Sequence, residues 1–157
     1  MTFPKSDFER NGQRMDQTGK ESCVAKARAC HEAGFNCAQA IACTFADLVG
    51  VDEATAFRLT EGLGGGMGSH TETCGALSGG CAIIGYAVSD GPHNPTTKQH
   101  TYELVKQLVA CFTAQYESTI CSDLKGLTGN LPKRPCDVYI EDAARMTHDL
   151  LRENDLI

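Results

Sequence analysis

The 157-residue chain reads as an all-α protein, a compact bundle of five to six helices with a glycine-rich loop. Three observations predict this. Apolar residues recur at helical spacing in one segment after another. Capping residues, glycines and prolines punctuate those segments. No run shows the period-two alternation of a half-buried strand. The length suits one domain, since domains commonly run to roughly 100–200 residues. A chain of this size buries roughly two thirds of its unfolded surface and needs no covalent staple.

Residues 1–17 carry no sustained periodicity and are expected to form a polar N-terminal tail or a partner-dependent arm. The remainder, 18–157, forms a single cysteine-rich helical domain. Thr18 and Glu21 fit a capping box, which starts a helix near 19 that stops at Gly34-Phe35. Asn36 caps the next, on which Cys37, Ile41, Phe45 and Leu48 share one inward face; Gly50 ends it. Asp52 caps a third helix reaching about Glu61. The glycine-rich loop Gly62–Gly68 follows. Thr71 or Thr73 can cap a fourth helix with Cys74, Leu77, Cys81, Ile84 and Val88 inward, and Gly80 suits close approach of another backbone. After the loop from Asp90 to Pro95, a fifth helix spans about 96–117, with Tyr102, Val105, Val109, Phe112 and Tyr116 on one face. Cys121 opens a short turn closed by Gly126. The last helix starts at Pro135-Cys136 and turns Ile140, Ala143, Thr147 and Leu150 inward.

Fourteen Lys and Arg oppose twenty Asp and Glu, a formal charge of −6. That argues against nucleic acid as a partner, which needs a basic face, and against a polybasic membrane anchor. No apolar run approaches the roughly 18 residues of a membrane-spanning helix. The start is polar, without the apolar core of a secretory signal. A cytoplasmic location is expected, where thiols stay reduced.

That expectation bears on the nine cysteines, an odd number that cannot pair fully within one chain. Cys30, Cys43, Cys81 and Cys111 lie inside expected helices and read as small core residues. Cys23 is ambiguous, because Ser22 could cap a helix just before it. Cys37, Cys74, Cys121 and Cys136 each stand in or near a first helical turn. Free N–H groups and the positive dipole end there stabilise a thiolate and lower its pKa. Lys125 near Cys121, and Lys133 and Arg134 before Cys136, add positive charge. Four such thiolates could converge on one anionic centre. Coincidence is the competing reading, since a short-looped bundle has many helix starts.

The stretches Gly34-Phe-Asn-Cys37-Ala-Gln-Ala-Ile41 and Thr73-Cys74-Gly-Ala-Leu-Ser-Gly79, the loop Gly62–Gly68 before the latter, then Cys121 and Cys136, carry a further signal. Over roughly residues 22–152 the chain resembles the C_GCAxxG_C_C family, described as redox-active proteins. The resemblance implies that the family's four cysteines correspond to Cys37, Cys74, Cys121 and Cys136. The family also resembles the iron–sulfur part of split-Soret cytochromes. This chain has no Cys-x-x-Cys-His, so no haem is expected.

The first expectation is therefore an iron–sulfur cluster, 4Fe–4S, bound by those four thiolates for electron transfer or redox sensing. Gly64, Gly65, Gly66, Gly68 and Gly75 would let backbone N–H groups approach the cluster. The alternative is a dithiol/disulfide oxidoreductase or sulfur-transfer protein using the same cysteines, with Cys37–Cys74 and Cys121–Cys136 as pairs to test. Zinc is the weakest metal reading, because no Cys-x₂₋₄-Cys pair is present. The loop lacks the Lys-Ser/Thr ending of a phosphate loop. His70, between that loop and Cys74, is either an exposed loop residue or a hydrogen-bond partner of a bound centre. A redox partner protein or a second copy of the chain is the expected company.

Overall fold

A computed structural model describes the backbone from residue 7 to 157 and the side chains from residue 16 onward. Seven helices and no strands occur among the described residues, as the all-α reading expects. They are α1 (Asp7–Glu32), α2 (Cys37–Val49), α3 (Glu53–Thr60), α4 (Gly75–Val88), α5 (Lys98–Tyr116), the single turn α6 (Cys121–Leu124) and α7 (Cys136–Glu153). The one beyond the five to six expected is the short turn α6 at Cys121.

The middle of the molecule belongs to α2. Every residue from Ala38 to Ala46 is buried. Small Ala side chains let neighbours approach it from all sides, and α4 packs on it most extensively. Asn36 caps it with the full box: its side chain accepts from the Gln39 N–H at 2.9 Å, and the Gln39 side chain accepts from the Asn36 N–H at 3.0 Å. Gly50 closes it in the left-handed region, at φ 82°.

Two glycines set the closeness of α4. A Cβ at Gly79 would stand 2.6 Å from the Ala38 carbonyl oxygen, so the α2–α4 contact exists only because that atom is missing. A Cβ at Gly80 would stand 2.7 Å from Thr147 Oγ1 and 2.9 Å from Leu108 Cδ2. The expected close approach at Gly80 is thus made by α5 and α7 side chains, and the backbone contact falls one residue earlier. On α7, Ile140, Ala143, Thr147 and Leu150 are all buried, as the spacing requires.

Several expectations are corrected. The described part of the supposed tail, residues 7–17, is helical, so α1 does not start at Thr18. Nothing there breaks a helix, and bonds such as Arg152 Nε to Asp16 Oδ1 at 3.2 Å tie that stretch to α7. Residues 1–6 of that segment lie outside the described residues. Leu48 and Tyr102 are exposed, not inward. On α5 the buried row is Leu104, Leu108, Phe112 and Tyr116, because α4 and α7 meet a face rotated from the one the spacing picks. Cys111 is exposed, so it is no core residue, and Cys30 and Cys81 are only half-buried; Cys43 and Cys23 are buried.

Candidate functional site

The N-terminal ends of α2, α4 and α7 and the turn α6 meet on one side of the bundle, together with the glycine loop. A pair of hydrogen bonds builds the junction: the Cys74 N–H donates to Thr119 O at 2.8 Å, and the Cys121 N–H donates to Glu72 O at 2.9 Å. Thr73 and Ile120 form an antiparallel bridge there. This short clip fixes Cys74 against Cys121, 47 positions away in the chain.

Cys37 is the first residue of α2 and Cys136 the first of α7, as their caps Asn36 and Pro135 require. The fourth helix differs from expectation. Neither Thr71 nor Thr73 caps it; Cys74 itself is the cap and Gly75 the first helical residue. At Cys121 the helix is a single turn, too short to offer much dipole, and the local charge comes from Lys125 instead.

The four sulfurs act on one another. The Cys37 thiol donates to the Cys136 sulfur, and that bond, with burial, drives the Cys37 pKa far up. Cys74 and Cys121 are close enough to raise it further by repulsion. Cys136, which accepts the bond, is held down at about 6, helped by Lys125 and His31 and opposed by burial. Burial pushes Cys74 up to about 11, although the N–H groups of Ala76 and Leu77 beside its sulfur oppose the rise. Burial likewise raises Cys121, against the pull of Lys125. Low pKa at all four helix starts is therefore not what the fold produces. Desolvation outweighs the local N–H groups or charge at Cys74 and Cys121, the bond to Cys136 with burial does so at Cys37, and only Cys136 is held below the ordinary thiol range.

The glycine loop is shaped by left-handed residues. Gly65, Gly66 and Gly68 have φ of 59°, 56° and 90°, and Met67 and His70, with side chains, share the region at 57° and 63°. A Cβ on Gly66 would stand 2.4 Å from the Cys121 Cβ and 3.3 Å from its sulfur. One on Gly75 would stand 3.1 Å from the Cys37 Cβ and 3.3 Å from Gly64 Cα. One on Gly64 would run into Asn36. Gly68 touches nothing within 4 Å, so it serves the turn and not the walls. The loop therefore presses bare backbone onto Cys121, and the start of α4 does the same to Cys37.

Spacing alone missed two neighbours and misplaced a third residue. His31, at the end of α1, lies 2.6 Å from Asp137 Oδ1 and acts on Cys136. Tyr139, buried on α7, donates to Leu124 O at 2.6 Å and feels Cys74 and Cys136. Arg134 does not reach Cys136; its guanidinium lies over the Tyr116 ring, 5.7 Å from the centroid. Only the fold brings these residues together. His70, by contrast, stood beside the loop in the sequence, and its Nδ1 is 3.5 Å from the Cys121 sulfur.

Four cysteine sulfurs, two of them against glycine backbone, thus lie within electrostatic reach of one another. No three His, Cys, Asp or Glu side chains among the described residues stand so that they could hold a metal ion. No helix of the described residues is long and apolar enough to cross a membrane. A family model described as "Putative redox-active protein (C_GCAxxG_C_C)" matches residues 35–150, which hold all four cysteines. Neither the curated proteins nor the solved structures yield a match.

Proposed function

We propose, from the premise that the chain belongs to the C_GCAxxG_C_C family of redox-active proteins, that it carries an iron–sulfur cluster on Cys37, Cys74, Cys121 and Cys136. The observation that carries the reading is that four cysteines far apart in the chain act on one another around a wall of bare glycine backbone. Four thiolates are the usual complement of such a cluster, which supplies one-electron chemistry when bound.

The chain's own residues fit that load. Cys37 and Cys136 stand at the starts of long helices, where the dipole favours negative charge. Backbone N–H groups near Cys74 are available to its sulfur. Lys125 brings positive charge to Cys121 and Cys136, and His31 to Cys136. Most of the surrounding shell is apolar core, which limits water and sets the dielectric that tunes a potential. A cluster is wider than a single ion and takes its ligands further apart, so a pocket unsuited to one ion remains compatible with it. Electron transfer to a partner protein or sensing of redox state is the role we assign.

Anaerobic purification followed by measurement of iron, acid-labile sulfide and visible absorption tests this. Iron and sulfide in equal amounts, lost on Cys→Ser at any of the four, is the expected result. A colourless, iron-free protein after reconstitution refutes it.

One observation favours a second reading. Cys37 and Cys136 already share a proton, which is how a dithiol attacks. The Cys136 thiolate would attack one sulfur of a partner's disulfide and expel the other as thiolate. Cys37, its proton lost, would then attack the Cys136 sulfur and release the partner fully reduced. On this reading the pair is Cys37 with Cys136, the two whose thiols are coupled by a hydrogen bond. Reversible loss of alkylation at both residues on oxidation would support this reading.

A further inference from the structure

The structure assigns a role to His70: it is a positioning residue that donates an N–H to the Cys121 sulfur once that sulfur is a ligand. The inference rests on the cluster reading and deepens it.

Three observations converge. The first is reach: His70 Nδ1 lies 3.5 Å from the Cys121 sulfur, within range of a hydrogen bond to sulfur. The second is strain. His70 has φ 63° and Met67 φ 57°, a left-handed backbone that residues with a Cβ rarely adopt. Strain of this kind persists where the surroundings enforce it, and it gathers at functional sites. Here it turns the chain back, so that a residue four positions beyond Gly66 faces the same cysteine as Gly66 does. The third is room. A Cβ at Gly65 would lie 3.6 Å from His70 Cε1 and 3.8 Å from Nδ1, so the ring lies flush against a residue without a side chain. The loop thus applies bare backbone to Cys121 at Gly66 and an imidazole beside it.

The direction of the bond follows from chemistry. A coordinated cysteine sulfur has lost its proton and can only accept. The imidazole therefore donates from Nδ1. Hydrogen bonds to cluster or ligand sulfur withdraw charge and raise the reduction potential. Cys74 is served by the N–H groups of Ala76 and Leu77, at the start of a real helix. Cys121 heads a helix of one turn, and His70 supplies what that helix lacks.

The test has two arms. In the metal-free chain, the His70 ring signals are followed by NMR in Cys121→Ala and Cys74→Ala. A shift of the His70 Cε1–H in the first and none in the second is expected; no shift in Cys121→Ala overturns the contact. In the reconstituted protein, the midpoint potential and the exchangeable-proton coupling seen by electron–nuclear double resonance are compared among wild type, His70→Gly and His70→Asn. Glycine tolerates the positive φ and removes the donor; asparagine also tolerates it and keeps an N–H at similar reach. The expected result is a more negative potential and a lost proton coupling in His70→Gly, with both restored in His70→Asn. A potential in His70→Gly equal to wild type overturns the assignment. If no cluster assembles in wild type, the cluster reading falls, and with it the donor role, while the NMR arm still decides the contact.

Discussion

Gly66→Ala is the sharpest single test of how the loop is built. The new Cβ would stand 2.4 Å from the Cys121 Cβ and 3.0 Å from the Glu72 carbonyl oxygen. Neither neighbour is the free end of a flexible chain. Cys121 is held through its N–H bond to that same Glu72 oxygen. Relief would have to come from moving the loop or the clip that joins it to α6. Two costs add. The left-handed backbone, φ 56°, costs alanine roughly 1–2 kcal/mol. Overpacking a filled site costs about 1–3 kcal/mol more. Together they remove about 2–5 kcal/mol. At this chain length each kcal/mol moves the melting point by about 2–4 °C, so the loss is on the order of 4–20 °C. Gly68→Ala separates the two costs. It shares the left-handed backbone, φ 90°, but its Cβ would meet nothing within 4 Å. It should lose only the first part, about 1–2 kcal/mol. Thermal and urea unfolding of the metal-free variants measures both. Equal losses in the two variants would refute the idea that Gly66 is glycine because Cys121 lies against it.

The remaining predictions use the same logic. Gly79→Ala should destabilise the protein although alanine favours a helix by about 1 kcal/mol, because its Cβ would stand 2.6 Å from the Ala38 oxygen; Gly85→Ala, whose nearest contact is an ordinary 3.9 Å to Thr101 Cγ2, should gain up to about 1 kcal/mol by urea unfolding. In the metal-free chain, Cys136 should be the first of the nine cysteines to react with iodoacetamide at pH 7, with a half-point at about 6. The sign follows from its depressed pKa: the reactive thiolate is present above that value and is lost as the pH falls through it. Cys37→Ala removes the thiol donor that holds Cys136 down, so the half-point should move up; peptide mass mapping against pH reads both. Cys81, which burial pushes up to about 11, should react slowly until alkaline pH.

Local chemistry explains which parts were legible in the sequence. Asn36 with Gln39, and Pro135 before Cys136, are caps whose partners lie within three residues, so reading them needed no knowledge of the fold. The inward row of α7 was legible because one face is strongly apolar and the other carries its charges. On α5 both faces carry apolar residues, and the choice between the Tyr102 side and the Leu104–Leu108 side is made by neighbours. Cys111 was misread for the same reason: a cysteine on a helix says nothing about which way the helix is turned. The helix-start positions of Cys37, Cys74, Cys121 and Cys136 were legible because their helix-starting neighbours stand beside them in the chain. His31 and Tyr139 were not, since no spacing links the end of α1 or the first turns of α7 to a sulfur on another element.

The acid–base state of the site bears on its use. Four thiolates in one buried pocket would repel one another, and burial would penalise each. The fold avoids this by holding Cys37, Cys74 and Cys121 above the ordinary thiol range and only Cys136 below it, near Lys125 and His31. Helix ends alone therefore do not prepare a four-thiolate centre. The proposed cluster would supply the missing positive charge, since a coordinated thiol is deprotonated by its metal. The helix starts, the glycine loop and His70 would then hold the anions so formed, and ligation, or attack on a disulfide, would begin at Cys136, the thiol held lowest.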